Sequence, residues 1–254
     1  MTSVPDLPFS HFASFDGVEL AWRETGAGRP VILLHGLFSS AYVNWIKFGT
    51  AALIAEAGFR VIMPDLRCHG NSDAPHDPAL YSAHVLARDA EALVARLGLA
   101  EFDLGGFSLG SRTTVRTVLR GMTPRRIVLG GMGLEGLAGW RNRKRFFLDA
   151  IALADTATRG DPHWLSIQFM KTMKIDPVAA TLLLATFADT DPAELTGITM
   201  PTLLVCGVDD HDNGSAPALQ AALPDARLAT VPGTHMSSVT SPLMGAAIAS
   251  FLSA

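Results

Sequence analysis

An α/β fold, with a mostly parallel central sheet covered by helices on both faces, is the class this sequence predicts. Three observations predict it. Short, continuously apolar runs recur along the chain, as in Val31-Ile-Leu-Leu-His35, and such runs suit strands buried on both faces. Helical patterns lie between most of these runs, the alternation expected of a parallel sheet with helical crossovers. The alternation breaks once, from Met132 to Thr199, where the pattern is helical throughout.

The elements follow in order. Phe9 to Phe15 and Val18 to Glu24 are β-prone runs joined at Asp16-Gly17, the signature of a hairpin. Further strands are expected at Val31 to His35, Arg60 to Met63, Phe102 to Leu104, Arg126 to Leu129, Thr202 to Cys206 and Arg227 to Val231. Trp45 to Ala57 and Ala83 to Leu97 carry helical spacing, with Gly58 and Gly98 where helix stops belong. Leu109 to Arg120 and Pro242 to Leu252 complete the helices of the alternating part. Residues 1–131 and 198–254 are therefore expected to form an α/β core. Residues 132–197 are expected to form a helical insertion on it, punctuated at Gly160-Asp-Pro162, Asp176-Pro177 and Asp191-Pro192.

Composition narrows the function classes. A chain of 254 residues with 48% hydrophobic and 17% charged residues is globular and long enough to bury a sizeable core. A net charge of -4 gives no general attraction to nucleic acid or an anionic membrane, so neither is expected as a partner. The amino terminus lacks the basic and apolar segments of a secretory signal, which points to a cytoplasmic protein. Cys68 and Cys206 are too few for a disulfide framework and read as small buried hydrophobes. No cluster of His, Cys and carboxylates has ligand spacing, so no metal or cofactor is expected.

Gly106-Phe107-Ser108-Leu109-Gly110 spells Gly-x-Ser-x-Gly between a strand and a helical pattern. In that setting the glycines allow a sharp turn that lifts the serine hydroxyl clear of the backbone. A serine needs a base and an oxyanion site to act as a nucleophile. The Leu109 N–H, at the start of the helix, is one oxyanion donor. The second comes from His35-Gly36-Leu37-Phe38, beyond the first buried strand, with the Leu37 N–H preferred and Phe38 the alternative. His35 itself reads as an anchor of that turn. Of the eight histidines, His235 follows the last strand in a glycine-bearing loop and is the expected base. Its orienting carboxylate is expected after the preceding strand, at Asp209, Asp210 or Asp212, with Glu135 a distant fourth.

The order Ser, Asp, His, together with His35-Gly36, Asp65-Leu-Arg-Cys-His-Gly-Asn-Ser72, Val205-Cys-Gly-Val-Asp-Asp210 and Gly233-Thr-His235, resembles the α/β-hydrolase superfamily, in its serine-nucleophile, lidded, esterase-like branch. The resemblance implies Asp210 as the acid and the insertion as a lid over a substrate pocket. Cys68 and Ser111 stand where the family usually has glycine. Haloalkane dehalogenases and epoxide hydrolases of this fold use an aspartate at the elbow, so Ser108 favours acyl transfer. The expected activity is hydrolysis of a small or medium apolar ester. Carbon–carbon bond hydrolysis, lactonase, thioesterase and cofactor-free perhydrolase activity are the alternatives, and a hydrolase-fold small-molecule receptor with slow turnover is the alternative of another class. Phe38, His163, Trp164 and Met170 are candidates for the pocket. The basic run Arg141, Arg143, Lys144 and Arg145 reads as a solvated helix face, or less readily as a seat for an acidic carrier protein.

Overall fold

One eight-stranded sheet organises the computed structural model, which describes residues 7–254. Its strands are β1 (Phe9–Ala13), β2 (Glu19–Thr25), β3 (Arg29–Leu34), β4 (Phe59–Pro64), β5 (Asp103–Phe107), β6 (Ile127–Gly130), β7 (Thr202–Gly207) and β8 (Ala226–Val231). They lie in the order β1-β2-β4-β3-β5-β6-β7-β8. The first hairpin is antiparallel, β2 runs antiparallel to β4, and every other pairing is parallel. The apolar runs are explained by two cores. Ile32 and Leu34 of β3 enter one, whereas Val31 and Leu33 enter the other.

Helices α1 (Thr50–Glu56) and α10 (Pro242–Ser253) cover one face, with Ile54 and Ile248 in the core there. Helices α2 (Val85–Leu97), α3 (Leu109–Leu119) and α8 (Ala216–Ala222) cover the other, through Leu93, Val115 and Leu219. The helix expected over Trp45–Ala57 is broken. A π-helical turn at Tyr42–Ile46 precedes α1, and Gly49 between them has φ 84°, outside helical space. None of the described helices is long and apolar enough to cross a membrane.

Between β6 and β7 the chain forms α4 (Leu134–Ala138), α5 (Trp140–Ala152), α6 (Trp164–Thr172), α7 (Pro177–Ala185) and a 3-10 turn at Pro192–Gly197. Two of the Asp-Pro pairs start helical elements here. Asp176 and Asp191 accept the N–H groups of Ala179 and Ala193, each at 2.9 Å, with proline in the first turn. This segment is rooted in the main core through Leu137, Ala179, Leu183 and Leu195. Its outer part packs separately, with Met170, Ile175 and Ala180 around Phe38. Arg112, on α3, fastens both ends: Nη1 donates to the Gly136 and Leu137 carbonyls at 3.1 Å, and Nη2 donates to the Ala188 carbonyl.

β5 is longer toward its C-terminal end than the sequence predicts, running through Gly105 and Gly106 to Phe107. Glycine is a weak strand former, but here it admits close neighbours. A Cβ on Gly105 would lie 2.8 Å from the Val128 side chain. The turn into α3 is tighter still. A Cβ on Gly106 would lie 2.2 Å from the Gly110 backbone, and one on Gly110 would lie 2.0 Å from the Leu34 carbonyl oxygen.

Because that last obstacle is backbone, it has no rotamer through which to yield. Gly110→Ala is expected to destabilise the protein by more than about 3 kcal/mol in urea unfolding. Gly197→Ala, whose methyl would meet only Leu119 at 3.9 Å, is expected to stay within about 0.5 kcal/mol of the parent. Equal effects at the two positions would contradict this account of the turn.

Candidate active site

Ser108 sits at the junction of β5 and α3 with φ 53° and ψ -108°, a strained conformation for a residue with a side chain. Its N–H donates to the Gly130 carbonyl at 2.8 Å, which ties the turn to β6. Ser111, where the family pattern has glycine, uses its hydroxyl in the same knot, 2.8 Å from the Gly106 carbonyl oxygen and 2.7 Å from that of Gly130. The Ser108 residue is half-buried, and its hydroxyl makes no hydrogen bond among the described residues.

Parallel pairing of β7 with β8 brings the next two groups together. Asp210 follows β7. His235 follows β8 and begins a one-turn helix, α9 (His235–Ser238), which Thr234 caps. The loops are laced by the Val208 N–H on the Val231 carbonyl and the Asp209 N–H on the Gly233 carbonyl, at 2.8 and 3.1 Å. His235 Nδ1 lies 2.9 Å from Asp210 Oδ2, and both side chains are buried. The other Asp210 oxygen accepts the Asp212 N–H at 3.2 Å. The His235 ring stands 4.9 Å from that of Phe107, the residue before Ser108. Asp209 and Asp212 face solvent, and Glu135 accepts the Ser215 N–H at 2.7 Å. A half-buried elbow serine, next in the chain to the Phe107 ring that His235 packs on, and an imidazole held by a buried carboxylate are the parts that general-base chemistry requires.

The loop after β3 is held by side chains from the β4 side of the site. His35 is fully buried; its Nδ1–H donates to the Gly36 carbonyl at 2.8 Å, and its Nε2 accepts the Leu66 N–H at 2.9 Å. His69 repeats the motif, donating to the Arg67 carbonyl and accepting the Phe38 N–H at 3.0 Å. The Phe38 N–H is thereby occupied. The N–H groups of Leu37 and Leu109 donate to no acceptor among the described residues. Asn44, which no sequence motif marks, and Asp65, which opens the Asp65–Ser72 motif, fix the same loop by accepting the Gly36 and Ala41 N–H groups, each at 2.8 Å.

Beside Ser108 lies a cavity of about 270 Å³, lined in part by Leu37, Leu109, Arg112, Trp140, Arg143 and Phe147. The four pocket candidates from the sequence stand outside this lining. Phe38 and Met170 pack against each other beneath it, His163 bonds to Asp161 and stacks on Phe146, and Trp164 opens α6. The lining comes instead from α5, whose inward face a basic run conceals in the sequence. Cys68 and Cys206 are buried and unpaired, and burial pushes the Cys68 thiol up to about 12.

A family model described as the α/β hydrolase fold matches residues 29–128. A non-heme haloperoxidase from Rhodococcus erythropolis is 28% identical over 288 residues, covering 97% of this chain and 99% of that protein. Epoxide hydrolase 2 from Siraitia grosvenorii is 33% identical over 98 residues, which are 39% of this chain and 30% of that one. Among solved structures, a hydrolase from Pseudomonas aeruginosa PA01 aligns with a TM-score of 0.75 at 25% identity, covering 98% of this chain and 100% of the other. With this sheet topology and these matches, the chain has the α/β-hydrolase fold.

Burial holds His35 and His69 below the ordinary histidine range, His69 at about 3, so both accept hydrogen bonds as neutral rings. An unfolded histidine titrates near about 6.5, so between that value and about 3 the unfolded chain binds the extra proton. Stability from these rings is complete above the unfolded value and drains away as pH falls. The urea midpoint is expected to drop between pH 7 and 4.5. His69→Gln, whose amide oxygen can accept the Phe38 N–H, is expected to drop less steeply; parallel slopes would refute the assignment.

Proposed function

We propose that the protein is a serine hydrolase that cleaves an ester of a small or medium substrate through an acyl-enzyme. Ser108 attacks the ester carbonyl while His235 Nε2 takes its proton. Asp210, on Nδ1, fixes the tautomer and stabilises the imidazolium. The developing oxyanion lies between the Leu37 and Leu109 N–H groups, at the amino end of α3 where the helix dipole adds to their effect. His235 then protonates the leaving alcohol. A water deprotonated by the same ring releases the acid and restores Ser108. The segment between β6 and β7 acts as the lid, its helix α5 supplying Trp140, Arg143 and Phe147 to the cleft that Ser108 lines. One observation carries this reading: a histidine paired at 2.9 Å with a buried aspartate packs on Phe107, next to the strained elbow Ser108, while the Leu37 and Leu109 N–H groups meet no acceptor among the described residues.

A second reading has its own support. The relative that spans nearly the whole chain is a non-heme haloperoxidase. Hydrogen peroxide in place of water would attack the same acyl-enzyme, giving a peracid and free Ser108. The epoxide hydrolase sequences match over little more than a third of the chain, and a serine at the elbow disfavours epoxide opening, because a serine ether formed there would lack the carbonyl that water must attack.

Ser108→Ala is expected to abolish turnover of a p-nitrophenyl ester with the circular dichroism spectrum unchanged; full activity would refute the mechanism. Asp210→Asn is expected to lower kcat by about 10⁴ with little change in KM, as expected for loss of the correct tautomer. Peracid formation when peroxide is added to a short ester would favour the second reading.

A further inference from the structure

Three of the four charges in the basic run of α5 behave as surface charges should. Arg141 and Arg145 are exposed, the latter paired with Asp149 one turn on, and Lys144 is part-exposed. Arg143 is different. It turns inward to line the cavity beside Ser108, with its guanidinium carbon 5.7 Å from the centre of the Phe147 ring. None of its five N–H donors meets an acceptor among the described residues, and its Nε is shut off from solvent. One turn earlier on the same helix, the indole N–H of Trp140, a residue only 6% exposed, is also buried without a partner and lines the same cavity.

A buried donor without an acceptor is costly, and both the Arg143 Nε–H and the Trp140 indole N–H are such donors. Burial lowers the affinity of Arg143 for its proton, against the pull of Asp212 and Asp210, neither of which forms an ion pair with it. Asp210 is already committed to His235. The other cation of the lining, Arg112, donates to carbonyl oxygens and lies over the Trp140 ring, 5.3 Å from its centre. The cavity therefore holds two guanidinium groups and no carboxylate among its lining residues. A neutral apolar ester would leave this charge uncompensated.

We propose that Arg143 and Trp140 form a seat for a carboxylate on the substrate, so that the preferred ester carries an anion at the end remote from the scissile bond. The guanidinium fork meets the planar carboxylate, and the indole N–H supplies a further donor. This deepens the ester-hydrolase reading and rests on it for the scissile bond, but the anion seat can be tested without turnover.

The probes are monomethyl adipate, which carries one carboxylate, and dimethyl adipate, which carries none. Calorimetric binding to the Ser108→Ala protein is expected to favour the monoester by about tenfold or more, the scale of one charge-assisted contact. Arg143→Met in that background should erase the preference, Arg143→Lys should keep part of it, and Trp140→Phe should weaken monoester binding about threefold. In the enzyme with Ser108 intact, the ratio of kcat/KM for the monoester to that for the diester should collapse by the same factor in Arg143→Met. If Arg143→Met does not fold, the Lys and Phe variants decide the question. Equal binding of the two esters, or a preference that survives loss of the guanidinium, would overturn the proposal. A monoester preference that depends on Arg143 with no hydrolysis of either ester would uphold the anion seat and overturn the ester reading.

Discussion

The approach of three backbone segments at the β5–α3 turn is the constraint on which the site depends. Gly106 faces Gly110, and Gly110 faces the Leu34 carbonyl, at separations no side chain could share. Only with those contacts made can Ser108 hold its positive φ, donate its N–H to Gly130 and free its hydroxyl. The same contacts set β3 beside β5, which brings the loop carrying Leu37 next to the turn carrying Leu109. Local strain at one serine is thus balanced by packing spread over three strands and a helix.

A second layer of organisation lies in the two neutral histidines. His35 and His69 each bridge a carbonyl and a distant N–H, and their rings stand 5.1 Å apart. Together with Asn44 and Asp65 they occupy the Gly36, Phe38 and Ala41 N–H groups around Leu37, whose own N–H meets no acceptor among the described residues. Polar side chains buried this deeply give direction to a backbone that would otherwise choose among several turns.

The site was legible in the sequence where its logic is local or follows from strand adjacency. Gly-x-Ser-x-Gly declares its own turn. Asp210 and His235 follow consecutive strands, so their meeting needs only that β7 and β8 pair in parallel. What stayed hidden depends on tertiary packing. The preference for Leu37 over Phe38 had no sequence signal for the bond that occupies the Phe38 N–H, because its acceptor lies 31 residues away. The helix around Trp45 was overextended because apolar spacing continues across Gly49. Arg143 hides among charges of its own kind, and only the orientation of α5 shows which one turns inward. Aromatic and thioether side chains such as Phe38, Trp164 and Met170 suit a pocket and the packing of the inserted helices equally well, so their type alone does not separate the two.

Arg112 has a consequence of a different order. It belongs by sequence to the helix that follows Ser108, yet its bonds end on the roots of the inserted segment. The boundary between the sheet scaffold and the inserted segment therefore does not coincide with the points where the chain crosses from one to the other. Grafting this insertion onto another scaffold of the same fold would have to carry the arginine along, or supply another donor for three stranded carbonyls.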